Sequence, residues 1–320
     1  MDSLTVIIPT FNRRDVLKKA LEGYLAQTAA QSIRELIVID DGSTDETALM
    51  VREIAAGSPF EIRYLRQENK GPAAARNHGI REAVSDIILF TDDDIVPSRR
   101  LVAEHLAWHT RNPDRNIAVL GYVTWAPEVK ATPFMMWYGA DGQLFSYAHF
   151  EGHKQLEFTD FYSCNVSLKR EFLRSNGGFD EDFKIAAYED TELAFRLQKA
   201  RMQLLYNPEA SAYHMQQVSF ESACRRVWKT NTAEEVFRRK EAGKYYYSKH
   251  GHSPRTGTRV QASIKRRSVR LAGFALSPFK RIMDGRIPLP WSVYRIMFRL
   301  FCSYQRHEGL GKRPGEVEWI

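Results

Sequence analysis

Cysteine is scarce in this 320-residue chain: Cys164, Cys224 and Cys302 are odd in number and far apart. They offer neither a zinc-ligand spacing nor a disulfide framework, which excludes a zinc finger and a small stapled fold. Long apolar runs are also missing. No stretch approaches the ~18 uninterrupted apolar residues that a spanning helix requires. Met1-Asp2-Ser3 carries an acid where a signal peptide has a basic patch, and the apolar run at residues 4–8 is too short for a signal core. A reducing cytosol of bacterial type is the expected compartment. No internal repeat or low-complexity segment stands out either, which leaves out a solenoid. What remains is ordinary globular composition, 43% hydrophobic and 27% charged, in a chain long enough for one large α/β domain and a smaller appendage.

The net charge of +7 conceals an asymmetry. Residues 225–320 carry 22 Lys and Arg against 7 Asp and Glu, a net of +15; residues 1–224 carry 24 against 32, a net of −8. An acidic body is therefore joined to a basic tail, and such a tail suits an anionic partner: a membrane surface, an acidic protein or nucleic acid. The boundary is expected near residue 218, with a catalytic domain over 1–218 and a basic, mainly helical extension over 219–320.

Strand and helix alternate through the first 125 residues. Apolar runs at 4–8, 36–39, 62–65 and 87–90 read as buried strands. Helical spacing over 13–27 places Val16, Leu17, Ala20, Leu21 and Tyr24 on one face. A second helix is capped by Ser43 or Thr44 and runs through Ile54, and a third covers 72–84. Repeated βα units of this kind argue for a mostly parallel sheet flanked by helices. Residues 125–160 are rich in aromatics (Trp125, Phe134, Trp137, Tyr138, Phe145, Tyr147) without clear periodicity. Further on, 161–168 reads as a strand, 191–201 as a helix, and 251–257 as a linker.

Acidic loops follow two of the strands: Asp40-Asp41 after the second and Asp92-Asp93-Asp94 after the fourth. Ligands of open parallel sheets bind at the carboxyl ends of the strands. Neighbouring carboxylates at about 4 Å repel by on the order of 4 kcal/mol at an effective dielectric near 20. A bound Mg²⁺ or Mn²⁺ offsets that repulsion through hard oxygen ligands, although a solvated turn that caps a helix near Ser98 is the plainer reading. Gly71-Pro72-Ala73-Ala74-Ala75-Arg76-Asn77 is a small-residue helix entry, which favours close approach of an anion. In Tyr188-Glu189-Asp190-Thr191 the carboxylates either cap a helix or supply a general base. His214 is either a core histidine or a neutral imidazole on a metal.

Taken together, these segments resemble family 2 of the nucleotide-sugar glycosyltransferases, enzymes of the GT-A fold. The matching pieces stand in family order: Val6-Ile7-Ile8-Pro9-Thr10-Phe11-Asn12, Val38-Ile39-Asp40-Asp41-Gly42-Ser43-Thr44-Asp45, Asn69 through Asn77, Phe90-Thr91-Asp92-Asp93-Asp94, Gly177-Gly178-Phe179-Asp180-Glu181 and Glu189-Asp190-Thr191-Glu192-Leu193. The resemblance covers residues 3–215 and stops short of the basic tail.

The resemblance implies a Rossmann-like, mostly parallel sheet and a role for each matched residue. Pro9, Thr10 and Asn12 line a nucleotide pocket, and Asp40 or Asp41 bonds the base. Gly71 and Arg76 lie near the nucleotide portion of the donor. Asp92 and Asp94 form the family's DxD motif, Asp92 near the ribose with Asp93 beside it, and Asp94, with Asp92, on Mg²⁺ or Mn²⁺. Asp190 acts as catalytic base with Glu189 its nearest rival, and His214 resembles a further metal ligand. The implied partners are a nucleotide-sugar donor, UDP-linked by preference, and a carbohydrate or lipid-linked acceptor, in bacterial cell-surface polysaccharide or glycolipid synthesis. The implied reaction inverts the anomeric carbon.

Two rival readings are weaker. Asp92-Asp93-Asp94-Ile95-Val96 fits the nucleophile motif of haloacid-dehalogenase-like phosphatases, but those carry it on the first strand. A nucleic-acid-binding protein would use the basic tail, which shows no zinc spacing or RNA-binding signature, so nucleic acid is disfavoured. In the tail, Trp291, Tyr294, Met297, Phe298, Phe301 and Tyr304 fall near one helical face, with Arg295 and Arg299 elsewhere. Such a helix either lies on an anionic membrane at the inner face of the cell or packs on protein.

Overall fold

The computed structural model describes residues 3–140, 144, 147, 150, 156–250, 282–285 and 288–309, with side chains in the last helix described as far as Cys302. The expected linker at 251–257, Phe145 and the side chain of Tyr304 lie outside the described residues. Two compact units are present: Met1–Val129 with Tyr147–Gln216, and Lys130–Ser146 with Gln217–Ile320. The second unit thus takes part of the aromatic segment as well as the basic tail.

In the first unit β1 (Leu4–Thr10), α1 (Arg14–Leu25), β2 (Ile33–Asp40), α2 (Thr47–Ala56), β3 (Glu61–Arg66), α3 (Pro72–Glu82) and β4 (Ile87–Thr91) alternate. They are followed by β5 (Ile95–Pro97), α4 (Leu101–Arg111) and β6 (Ile117–Trp125). After the segment that belongs to the second unit come β7 (Asn165–Lys169), α6 (Arg170–Ser175), α7 (Glu189–Lys199) and β8 (Gln203–His214). All eight strands form one sheet in the order β3-β2-β1-β4-β7-β6-β8-β5. β1 pairs parallel with β2 and β4, β2 with β3, and β6 with β8. β7 runs antiparallel to β4 and β6, and β5 antiparallel to β8.

Sequence explains why the crevice opens where it does. β1, β2 and β4 are near-continuous aliphatic runs, buried on both faces, as parallel strands between helices must be. β2 and β3 continue from one side of β1 and β4 from the other, so the β1–β4 junction is the switch point of the sheet. Pairing of β1 with β4 ends at Ile7 and Phe90. Pro9 has no N–H with which to extend a ladder, and the loops after the two strands border the gap. α3 approaches β1 closely because Gly79 has no side chain: a Cβ there would stand 2.6 Å from the Ile7 side chain.

Two local expectations need correction. α2 starts at Thr47, not at a Ser43 or Thr44 cap, because Ser43 N–H is held by Asp40 Oδ1 (2.7 Å) and Thr44 N–H by Asn12 Oδ1 (2.7 Å). β7 starts at Asn165, not at 161, since Phe158–Asp160 is a 3₁₀ turn and Asn165 N–H closes a further turn on the Tyr162 carbonyl (3.3 Å).

α4 turns polar groups onto the sheet. His105 is fully buried, its Nδ1 2.8 Å from Ser167 Oγ and its Nε2 2.9 Å from Asn165 Oδ1, while His109 Nε2 lies 2.9 Å from the same Ser167 hydroxyl. Burial lowers the His105 pKa to about 4, against a smaller opposing effect of the Asn165 bond. Between pH 6.5 and 4 the unfolded chain therefore binds a proton that the folded chain refuses, so stability falls with acidification through that window. The linkage is worth about 3 kcal/mol when complete. Urea melts at pH 7 and pH 4.5 are expected to show this loss, and His105→Gln is expected to flatten the difference. An unchanged pH slope in that variant would remove His105 as its source.

The second unit contains α5 (Pro133–Ala140), α8 (Phe220–Lys229), α9 (Asn231–Arg239), α10 (Glu241–His250) and α11 (Trp291–Gly309). Its core is aromatic. Phe134 stacks on Tyr138 at 5.6 Å, Trp137 on Tyr294 at 5.8 Å, and Phe220 meets Phe301 edge-on at 5.0 Å. Tyr294, Phe298 and Phe301 of α11 are consumed in this packing. Among the described residues no helix is long and apolar enough to cross a membrane.

Candidate active site

Two groups of charged side chains meet at Asp92-Asp93-Asp94, the loop that leaves β4. The first is built on the end of β1. Thr10 Oγ1 donates to Asp93 Oδ2 at 2.8 Å, and Arg13 bridges Asp93 Oδ1 (2.9 Å) and Asp94 Oδ2 (2.7 Å). Burial raises the Asp93 pKa to about 7, with Arg13 opposing the rise and Asp94 adding to it. Arg13 stays above its ordinary value, because its carboxylate partners outweigh the desolvation that would lower it. β8 brings in His214. Ile95 pairs with His214 across β5 and β8, Met215 N–H donates to the Asp94 carbonyl (2.8 Å), and His214 Nε2 stands 3.5 Å from Asp94 Oδ2. Gln216 N–H donates to His214 Nδ1 (3.3 Å), so Nε2 is the ring nitrogen that faces Asp94. Trp125 packs edge-on against the ring at 5.3 Å.

The second group is centred on Arg76, one turn into α3 and only 2% exposed. Its guanidinium donates to Asp92 Oδ1 (2.8 Å) and to Glu189 Oε1 (3.1 Å), and lies 5.4 Å from the Phe179 ring. Burial alone would lower its pKa; Asp92, Asp190 and Glu189 together hold it above the ordinary value. Glu189 and Asp190 open α7, just after Tyr188 in the left-handed region (φ 67°). Burial, then the neighbouring Asp190, push Glu189 up to about 7 against the pull of Arg76. Asp190 is raised as well, chiefly by burial. One of its oxygens, Oδ2, accepts from Ser163 N–H (2.9 Å), whereas Oδ1 is buried with no hydrogen-bond partner. Cys164 lies within electrostatic reach of both groups. Burial drives its thiol pKa well up, and Asp92, Asp190 and Asp94 all add to the rise.

The remaining residues that the sequence nominates shape the rim. Asn12 holds a positive φ of 52° and, through its side chain, the Thr44 backbone. Asp40 accepts from Ser43 N–H and from the Tyr64 hydroxyl. Asp41 accepts from Gln67 Nε2 (2.8 Å), Lys70 N–H (2.9 Å) and Gly71 N–H (2.8 Å), fastening the entry of α3 to the end of β2. Gly71 has φ 92°, and a Cβ there would come within 2.8 Å of the Lys184 carbonyl. Pro9 is half-buried near the end of β1, paired with Ile39 of β2. Both Asp40 and Asp41 are thus engaged by protein donors, and Arg76 by carboxylates. Sequence reasoning missed Arg13, Ser163 and Cys164. Only Arg13 left a signal, as a cation immediately after Asn12 in the turn that follows β1.

The donor set suits a hard divalent cation shared with a substrate. Among the described residues no three acidic, histidine or cysteine groups converge as a ready metal cage. Asp94 and His214 supply one oxygen and one nitrogen at a spacing compatible with adjacent ligands, which is how Mg²⁺-type ions are held when phosphate oxygens complete the shell.

Residues 5–175, just over half of the chain, match the family model described as Glycosyl transferase family 2. The protein belongs to that family, a class of transferase enzymes. It is 33% identical over 218 residues to a validoxylamine A glucosyltransferase of Streptomyces hygroscopicus, covering 61% of this chain and 51% of that one. With a hyaluronan synthase of Pasteurella multocida it shares 27% identity over 266 residues, 74% of this chain and 27% of the synthase. The chain therefore spans about half the length, or less, of these curated relatives. Among solved structures, the mannosyltransferase PcManGT from Pyrobaculum calidifontis, in complex with GDP-Man and Mn²⁺, superposes with a TM-score of 0.60 at 18% identity, over 97% of this chain and 88% of that one. S. aureus TarS 1–349 in complex with UDP-GlcNAc gives 0.56 at 13% identity, over 96% and 91%. These likenesses establish the GT-A fold.

Proposed function

We propose that this protein is an inverting, metal-dependent glycosyltransferase that moves a sugar from a nucleotide-sugar donor, UDP-linked by preference, to an acceptor hydroxyl on a carbohydrate or lipid-linked molecule. The observation that carries the reading is the Asp190 carboxylate: fixed by Ser163 N–H on one oxygen, it keeps the other buried without a partner, beside the DxD loop. That oxygen would accept the proton of an attacking hydroxyl, and a single displacement with such a base inverts the anomeric carbon. Asp94 and His214 would hold Mg²⁺ or Mn²⁺, which neutralises charge growing on the departing nucleoside diphosphate when bound. Pro9, Thr10 and Asn12 would border the nucleotide. Bacterial cell-surface polysaccharide or glycolipid synthesis is the setting this reading favours, with the basic C-terminal segment resting on the inner, anionic face of the membrane.

The direct test screens UDP-, GDP- and dTDP-sugars for Mn²⁺-dependent binding and hydrolysis, then follows the product by NMR. An inverted anomeric configuration is expected; a retained one would exclude a single displacement. Metal binding has its own test, because Arg13 now provides the positive charge at Asp94. Arg13→Gln is expected to bind Mn²⁺ more tightly, on the order of tenfold, since a competing cation is removed from the carboxylate. Titration calorimetry in the absence of donor would read it, and weaker binding would mean that Arg13 orders the site instead of competing for it.

A further inference from the structure

The aromatic face of α11 is used up inside the second unit, yet the helix has a second apolar face. Tyr294, Phe298, Phe301 and Cys302 are all less than 7% exposed. Val293, Ile296 and Leu300 are exposed by 36, 57 and 37%. Their spacing of three and four residues sets them in a single stripe away from the packed side. Arg295 and Arg299, one turn apart, are exposed beside the stripe, and Trp291, half exposed, opens the helix. From Trp291 to Cys302 there is no acidic residue. A solvated helix face is normally polar, so this stripe is unusual for a surface that meets only water.

We propose that the outward stripe Val293, Ile296 and Leu300, flanked by Arg295 and Arg299, seats the second unit in the interface of an anionic lipid bilayer. The proposal rests on the membrane reading given above and moves the contact away from the aromatic face to the aliphatic one. Charge selects the occupant. Residues 225–320 carry a net +15, so a second copy of the chain would bring like charge against like, whereas anionic headgroups complement it. Nucleic acid would satisfy the arginines but has no use for three exposed aliphatic side chains. The helix lies in the interface and does not cross it, in line with its mixed sequence. Aliphatic groups enter the boundary between headgroups and chains while the guanidinium groups stay with the phosphates.

Sedimentation of the full chain with vesicles tests this, using phosphatidylcholine alone and phosphatidylcholine with about 30% phosphatidylglycerol, composition set to give the surface charge on which basic segments act. The wild type is expected to sediment with the anionic vesicles only. Val293→Ser/Ile296→Ser/Leu300→Ser is expected to lose at least about tenfold in partitioning, with an unchanged melting temperature because the residues are exposed. Ile296→Asp alone, should the triple variant melt early, is expected to weaken binding in the same direction. Wild-type binding that the stripe variants leave intact would overturn the stripe and spare the membrane reading. No wild-type binding would overturn both. If light scattering shows a dimer that the stripe variants dissociate, or if the stripe variants lose RNA retention instead of vesicle binding, the occupant is not lipid and the proposal falls.

Discussion

Asp190→Asn is expected to lower transfer by about a thousandfold while leaving donor affinity within about twofold, in the range for loss of a positioned general base. Asparagine keeps the shape of the side chain, and its amide oxygen can still accept from Ser163 N–H. What disappears is the basic lone pair on the buried, unpartnered oxygen. Nucleotide-sugar binding measured by calorimetry, alongside single-turnover transfer of a labelled sugar, separates the two effects. Glu189→Gln is the informative companion, because its carboxylate already accepts from Arg76 Nη1. It is expected to reduce turnover less, through a disturbed Arg76.

The pH dependence follows from the same groups. Asp190 and Glu189 both titrate above the ordinary carboxylate range, and as contacting neighbours they release protons as a pair. A base must be ionised, so turnover falls as pH drops through the raised values, earlier on acidification than an exposed aspartate would give. If Asp190→Asn retains ordinary turnover, the proton acceptor is Glu189 or a group elsewhere in the crevice.

Much of this arrangement is legible in the chain. β1, β2 and β4 announce themselves as aliphatic runs with carboxylates at their ends, and a parallel sheet places those ends together. α4 conceals its packed side, since His105 and His109 face the sheet where periodicity leads one to look for aliphatics. α5 is buried almost all round, so Phe134, Met135, Trp137 and Tyr138 carry no helical period. β8 contains Pro208, and the register with β6 shifts between Gly121 and Tyr122 opposite that stretch; the strand that delivers His214 therefore breaks the alternation by which strands are read. Arg13 and Ser163 act through contacts across 81 and 27 residues, which no local pattern encodes.

The largest expected loss of stability lies at Arg76. Its guanidinium is buried among Asp92, Glu189 and Asp190, and removing one partner of a buried charge cluster leaves the others uncompensated. Arg76→Met, which fills similar space without charge, is expected to destabilise the fold by about 3–5 kcal/mol, as for other broken buried pairs. That corresponds to a fall in melting temperature on the order of 10 °C for a domain of this size. The deficit should depend on pH with a definite sign. Without the cation, Glu189 and Asp190 lose the influence that lowers their pKa values and titrate still higher in the folded state. A carboxyl raised on folding is better tolerated when protonated, so the penalty shrinks as pH falls and grows as pH rises through the raised values. Arg76→Lys keeps the charge but not the planar fork that reaches Asp92 and Glu189 at once, and should fall between the two. Thermal melts of the three proteins at pH 5 and pH 8 would read the order directly. If Arg76→Met melts like the wild type at both, the three carboxylates are not held in place by this arginine, and the geometry around Asp190 must be fixed by the Ser163 contact alone.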